Sequence, residues 1–233
     1  MAAVVASVLE SDMARPRSVT AVRPRRGSPA DTRRRLVAAA ADVFNRHGFH
    51  GTDSNRIARA AGYAPGSFYK HFVDKRAIFL EAWDAWVTAE WAVVETALAA
   101  GGDERTVASR IVRLVLSLHR RWRGFRASMR ALVGSDPVAR RFHRRQRVRQ
   151  LRLLRDLDTR SGRPPRPAED DALLLFTLER VCDAAADGEL RDLGLSTAAM
   201  VERLEGLVRA RLEGARPSPS AGRAVLDRRR RRT

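Results

Sequence analysis

Residues 52–75 read Thr-Asp-Ser-Asn-Arg-Ile-Ala-Arg-Ala-Ala-Gly-Tyr-Ala-Pro-Gly-Ser-Phe-Tyr-Lys-His-Phe-Val-Asp-Lys, and their pattern decides the fold. Ile57, Ala58 and Ala61 form one apolar stripe, and Phe68 and Phe72 form another at i, i+4 spacing. The spacing predicts two short helices joined by a turn. Gly62 falls where the chain must turn sharply, a position that favours a residue tolerant of positive φ. Pro65 suits the first turn of the next helix, since its φ is already helical and its missing N–H would be unpaired there. The outward positions Ser67, Tyr69, Lys70 and His71 can all hydrogen-bond. A short helix with a buried apolar face and an outer face of polar groups is what a major-groove reader needs.

Working outward, Leu36, Ala40, Val43 and Phe44 predict a helix that starts near Asp31 and ends at Gly48. Asp74 can cap a long helix through Ile78, Phe79, Trp83, Trp86 and Val87 to about Ala99, which breaks at Gly101-Gly102. Together these pieces resemble the DNA-binding domain of the TetR family of repressors, from about Asp31 to Trp86. The resemblance rests on Phe44, Gly48-Phe49, Thr52, Ile57-Ala58, Ala61-Gly62, Phe68-Tyr69, His71-Phe72 and Asp74-Lys75, in that order. Ala64 stands where the family usually has Ser or Thr as a helix cap, a loss that typically costs ~1 kcal/mol. Asp53 stands where many relatives carry a hydroxyl near phosphate.

The resemblance implies an all-α chain: an N-terminal helix-turn-helix three-helix domain, then a C-terminal helical ligand-binding and dimerisation domain. The expected divisions are a basic arm over 1–30, the DNA-binding domain over 31–76, the helical domain over 77–213 and an Arg-rich tail over 214–233. The resemblance further implies double-stranded DNA, a second copy of the chain and a small-molecule effector as partners. Thr52, Ser54, Asn55, Pro65, Gly66, Ser67, Tyr69, Lys70, His71 and Lys75 are the expected DNA-binding residues. Lys70 is the expected base reader, for guanine O6 and N7, and Lys75 is expected to contact phosphate.

Composition agrees with a polyanionic partner. The 233 residues carry a formal net charge of +18 with a sequence pI near 11.6, and 44% are hydrophobic, enough for a real core. Cys182 is the one cysteine, so no intrachain disulfide forms, and its apolar surroundings in sequence suit a small core residue. No apolar run approaches the ~18 residues that span a bilayer. Residues 1–9 lack the basic start of a signal peptide. Met13 is a candidate start alongside Met1, and the expected location is cytoplasmic.

The segment 14–30 holds five arginines among three prolines, and 214–233 ends in Arg228–Arg232. Both read as disordered basic arms: solubilising tails, or arms that follow the phosphate backbone or enter a minor groove. Between them, further helices are expected around Val107–Leu118, around Phe125–Leu132 with Gly134 closing it, and after Asp136-Pro137, where the helix is crowded with arginines from Arg140 to Arg155. Those arginines spread around the helix, so most should be solvated, while a few could hold an anion. Residues 161–167 read as a loop. Two final helices follow, 168–186 ended by Gly188 and another capped by Ser196, with Met200, Leu204, Leu207, Val208 and Leu212 inward.

The resemblance makes these last two helices a dimer interface through Leu174, Leu178, Cys182, Leu204 and Val208, the alternative being that both faces serve the subunit's own core. It makes the middle helices an effector pocket through Trp91, Trp122, Phe125, Met129, Phe142 and Phe176, although aromatics fill ordinary cores too. The five histidines form no HExxH, and no nucleophile elbow, CxxC or P-loop glycine pattern occurs, so neither an enzyme, a cofactor nor a metal is expected. The alternative function is a nonspecific architectural nucleic-acid binder acting through its basic arms.

Overall fold

A computed structural model describes residues 28–160 and 166–213, and among these every regular element is helical. The elements are α1 (Pro29–His47), α2 (Ser54–Ala60), a 3-10 turn of helix over Pro65–Lys70, α3 (Lys75–Ala99), α4 (Glu104–Arg121), α5 (Arg123–Ser135), α6 (Pro137–Arg160), α7 (Ala168–Asp187), α8 (Glu189–Asp192) and α9 (Thr197–Leu212). Residues 1–27 of the first basic arm, the whole expected tail 214–233 and residues 161–165 of the expected loop lie outside the described residues.

Caps set the boundaries. Ser28 caps α1 and Asp31 reaches back to it, a reciprocal capping box, so the helix begins at Pro29 and takes the last residues assigned to the arm. Asp74, Asp103 and Ser196 cap α3, α4 and α9 as side-chain acceptors. Gly134 lies inside α5 rather than closing it, and the helix ends at Asp136, which bonds the N–H groups of Val138 and Ala139 at the start of α6. The four-residue α8 was not expected.

Two apolar cores result. The first joins Leu36 and Phe44 of α1, Ile57 of α2, Phe68 and Phe72, and Phe79, Trp83 and Trp86 of α3 with Leu118, Trp122, Phe125 and Met129. It therefore crosses the expected division between 76 and 77. Phe44, Phe68, Phe79 and Phe125 are each fully buried, and burial of such a side chain stabilises by about 1.5–3 kcal/mol. The second core lies among α4, α7 and α9, with Val107, Ile111, Val112, Cys182, Leu204 and Val208. Uninterrupted by Gly or Pro, α3 runs 25 residues, about 38 Å at 1.5 Å each, and supplies side chains to both cores.

The junction between α1 and α5 is close. Asn45 donates to the Arg121 carbonyl at 2.8 Å and accepts from the Phe125 N–H at 3.0 Å. A Cβ on Gly124 would fall 2.0 Å from the Asn45 carbonyl oxygen, so this approach requires glycine. Ser128 accepts from the Phe49 N–H at 3.1 Å one turn further on.

Candidate nucleic-acid interface and internal cavities

Asp53 caps α2 by accepting from the Arg56 N–H at 2.7 Å. The chain turns at Gly62, whose φ of 79° is in the left-handed region, and re-enters a helix at Pro65. Ala64 gives that helix no side-chain cap, as its side chain requires. The segment is a 3-10 helix, tighter than the α-helix the sequence suggested. Phe68 and Phe72 anchor it in the first core, with their exposures at 0% and 3%. Arg33 of α1 holds its end: the guanidinium lies 4.2 Å over the Phe72 ring and donates to the His71 carbonyl at 2.6 Å and to Glu81 Oε1 at 2.8 Å.

On this platform Tyr69 is 63% exposed, and Lys70 and Gly66 are also exposed, with Pro65, Ser67 and His71 half-buried beside them. Across the turn Asn55 is exposed and Ser54 half-buried, and the Ser54 and Tyr69 hydroxyls lie 2.8 Å apart. Two expected contacts are used inside the domain. Thr52 is 3% exposed and its hydroxyl donates to the Gly48 carbonyl at 2.7 Å. The Lys75 ammonium donates to the carbonyls of Phe49 and Thr52, each at 2.9 Å, and sits 4.4 Å over the Phe49 ring. That occupies two of its three N–H groups, so Lys75 is first a clamp between the loop and α3. Arg56 and Arg59, both exposed on α2, extend the basic surface. Sequence reasoning passed over them, although they flank the Ile57/Ala58 stripe in the outward register.

The residues expected in a pocket divide. Phe125 is fully buried, stacked 6.4 Å from Phe44 and edge-on to Phe79 at 5.1 Å, and Trp122 packs beside it; both are core. Phe142 packs against the same core. Trp91 lines an apolar cavity, whereas Met129 and Phe176 line a second, more polar one of about 320 Å3 with Trp83, Trp86, Arg126 and Arg147.

The interface residues behave differently from expectation as well. Cys182, Leu204 and Val208 are exposed by 1%, 3% and 5%, and sit in the subunit's own core. Leu174 and Leu178 face the apolar cavity. The outward apolar side chains of these helices are Leu173 and Phe176 on α7 and Leu207 on α9; Leu207 had been expected inward. Periodicity located an apolar stripe on each helix, but both helices carry apolar residues on two sides, and only packing assigns the sides.

A buried ionic network ties α4, α5, α6 and α7 together. Arg126 donates to Asp183 at 2.7 Å, His119 Nδ1 lies 2.8 Å from the same carboxylate, and Arg147 is bidentate to Glu179. Burial opposes ionisation of Asp183, but hydrogen bonds from His119 and Arg126 hold its carboxyl well below the usual range. Arg147 of the arginine helix is thus paired, and Arg149 bonds Asp84 at 2.9 Å, while Arg141, Arg144, Arg145, Arg152 and Arg155 are exposed.

No helix among the described residues is long and apolar enough to cross a membrane, and none of their His, Cys, Asp and Glu side chains cluster as a metal site.

Residues 36–82 match the family model for bacterial regulatory proteins of the tetR family. The chain is 43% identical over 51 residues to the uncharacterized HTH-type transcriptional regulator YdgC of Bacillus subtilis, 22% of this chain and 26% of that protein. It is 36% identical over 47 residues to the HTH-type transcriptional regulator UidR of Escherichia coli K12, 20% of this chain and 24% of that protein. The matched stretch therefore spans about a quarter of the length of these curated relatives. Over most of its length the fold resembles that of a TetR-family regulator from Rhodococcus, with TM-score 0.63 at 18% identity, covering 77% of this chain and 97% of that one. Residues 36–82 thus match the helix-turn-helix of the TetR family, and they are set on an all-helical body whose fold resembles that of the Rhodococcus regulator.

Proposed function

We propose that this protein is a sequence-specific DNA-binding transcriptional regulator, a repressor that leaves a palindromic operator when a small molecule binds its helical body. The observation that carries this reading is the Tyr69/Lys70 face, exposed on a helix whose other side is locked into an aromatic core. A rigid platform of polar side chains suits base readout in the major groove. In this reading Lys70 reads bases, Ser67, Tyr69, His71 and Asn55 contact backbone or base edges, and Arg56 and Arg59 neutralise phosphates.

One short reading helix needs a second half-site for specificity, so the reading includes a homodimer. Leu173, Phe176 and Leu207, the outward apolar residues of α7 and α9, are its interface. Coupling runs through α3, which begins at the Lys75 clamp and borders the cavity with Glu90, Trp91, Val94 and Leu98. A ligand that fits one tilt of α3 better than another shifts the spacing of the two reading heads. Such a regulator acts in the cytoplasm.

The net charge of +18 favours the second reading, nonspecific binding through basic arms. Selection of bound sequences from a random duplex pool separates the two. Enrichment of a palindrome by the full chain, retained after removal of residues 1–27 and 214–233, is the expected result. Loss of all preference in the truncated chain would favour the architectural reading.

A further inference from the structure

Helices α3, α4, α6, α7 and α9 wall a cavity of about 110 Å3, lined mainly by leucine, valine and isoleucine. That is close to the volume of dry cavities that take up a benzene-sized guest. Two sets of polar side chains join the lining. In one, Arg211 donates to Asp158 at 2.6 Å and to Asp171 at 2.9 Å, while its Nε has no partner among the described residues. The other is Glu90 with His119, whose Nε2 has no partner among them.

The Glu90 side chain is 10% exposed and that of His119 is 0% exposed. Asp183 is ionised and can only accept, so His119 Nδ1, 2.8 Å away, carries the ring proton. Burial pushes the His119 imidazole toward its neutral form, which leaves Nε2 as a lone pair. Among the described residues Nε2 has no hydrogen-bond partner, and Glu90 Oε1 lies 3.9 Å from it, beyond bonding range. His119 Nε2 is thus a buried acceptor without a donor, beside a Glu90 carboxyl that lines the same cavity, and an unpaired buried acceptor costs stability.

The nearby cations do not fill the gap. Arg126 bonds Asp183, and Arg147 bonds Glu179 with both arms of its guanidinium. Of the charged residues lining the cavity, Glu90, Asp158 and Glu179 are acidic against Arg211 alone, in a chain that is otherwise strongly basic. An ammonium bonded to both acceptors would sit about 2.9 Å from each, and its tetrahedral N–H groups can span the 3.9 Å between them.

We propose that this cavity binds a small primary amine, with its ammonium between Glu90 and His119 Nε2 and its apolar chain against the leucines of α6 and α7. This rests on the reading of the helical body as an effector domain and names the chemistry that domain takes. Once Glu90 is ionised, a carboxylate ligand would meet like charge there, and an alcohol would supply a single donor for two acceptors.

Proton linkage follows from the surroundings of Glu90. His119 of α4, Arg126 of α5, Arg147 of α6, and Glu179 and Asp183 of α7 face it. Burial, with Glu179 and Asp183 adding to it and Arg126 and Arg147 opposing, pushes the Glu90 carboxyl up to about 7. Entry of an ammonium favours the ionised form, so binding expels a proton below that pH and tightens as pH rises through it.

Titration calorimetry on the full chain with hexylamine, hexan-1-ol and hexanoate tests this, run in two buffers of unlike ionisation enthalpy at a pH of about 6.5, just under the Glu90 midpoint of about 7. The amine should bind at least about tenfold tighter than the alcohol and release a fraction of a proton, and hexanoate should give no heat. Glu90→Gln should weaken the amine by about tenfold or more and abolish proton release. The alcohol should bind the variant as it binds the parent, which shows the cavity intact. No heat from hexylamine, equal binding of hexanoate, or an amine affinity unchanged in Glu90→Gln would each overturn the proposal. DNA selection is a separate readout: a palindrome enriched by a chain that ignores hexylamine removes the amine site and leaves the regulator reading standing. The reverse outcome removes only that reading.

Discussion

The hydroxyls of Ser54 and Tyr69 lie 2.8 Å apart, so a hydrogen bond links the first residue of α2 to an exposed side chain of the Pro65–Lys70 helix. Tyr69 is therefore oriented before any DNA arrives. Tyr69→Phe removes this bond and one polar contact, and should weaken binding to the selected site by ~1 kcal/mol. Lys70→Ala should cost ~1–3 kcal/mol and relax preference at one position per half-site. Competition binding against single-base operator variants checks both. An unchanged preference in Lys70→Ala would remove Lys70 as the base reader.

Lys75 should behave as a structural residue. Its ammonium bonds the carbonyls of Phe49 and Thr52, and charged hydrogen bonds of this kind contribute about 1.5–3 kcal/mol each. Lys75→Met should lower the melting temperature measurably in the absence of DNA. If it weakens DNA binding with no loss of stability, the clamp is less important than a phosphate contact.

Gly124 and Gly134 offer a matched pair within α5. A methyl group at Gly124 would meet the Asn45 carbonyl at 2.0 Å, whereas one at Gly134 meets nothing within 4 Å. Gly124→Ala should destabilise by ~1–3 kcal/mol through forced separation of α1 and α5. Gly134→Ala should be neutral or stabilise by up to ~1 kcal/mol from helix propensity. Urea melts of the two variants decide.

Glu90 makes the fold pH-dependent in a definite direction. Its carboxyl titrates near 7 in the folded chain against an ordinary value of 4.5, so the folded state holds the proton more tightly. Its destabilising effect is absent below pH 4.5 and grows as pH rises through 7. Glu90→Gln should match the parent at the acid end and exceed it above the midpoint by on the order of 2–3 kcal/mol. Thermal melts across that range check the sign, and a variant less stable than the parent at alkaline pH would contradict it.

The two faces of α7 and α9 should separate assembly from folding. Leu173→Asp with Leu207→Asp, on the outward face, should give a folded monomer in sedimentation where the parent is a dimer. Leu204→Asp buries a charge in the second core, where Leu204 is 3% exposed, and should unfold the chain. A double outward variant that remains a dimer would place the interface elsewhere.

The sequence by itself determined every feature that rests on neighbours along the chain. The helix starts at Asp74, Asp136 and Ser196, the turn at Gly62, and the apolar anchors Phe68 and Phe72 were all legible, because caps, φ preferences and helical periodicity act over only a few residues. The exposure of Tyr69 and Lys70 opposite those anchors was legible for the same reason. Only the tertiary structure decided which face of an apolar helix is inside. Leu204 and Val208 went to the core and Leu173, Phe176 and Leu207 to the surface, since a helix apolar on two sides has no unique register until α4 packs against one of them. It alone brought Arg33 to His71, Lys75 to Phe49, and Glu90 beside His119. Those pairs are far apart in sequence, and nothing local marks a lysine as a clamp or a glutamate as buried. Their chemistry comes from desolvation and from partners that arrive only when the helices pack.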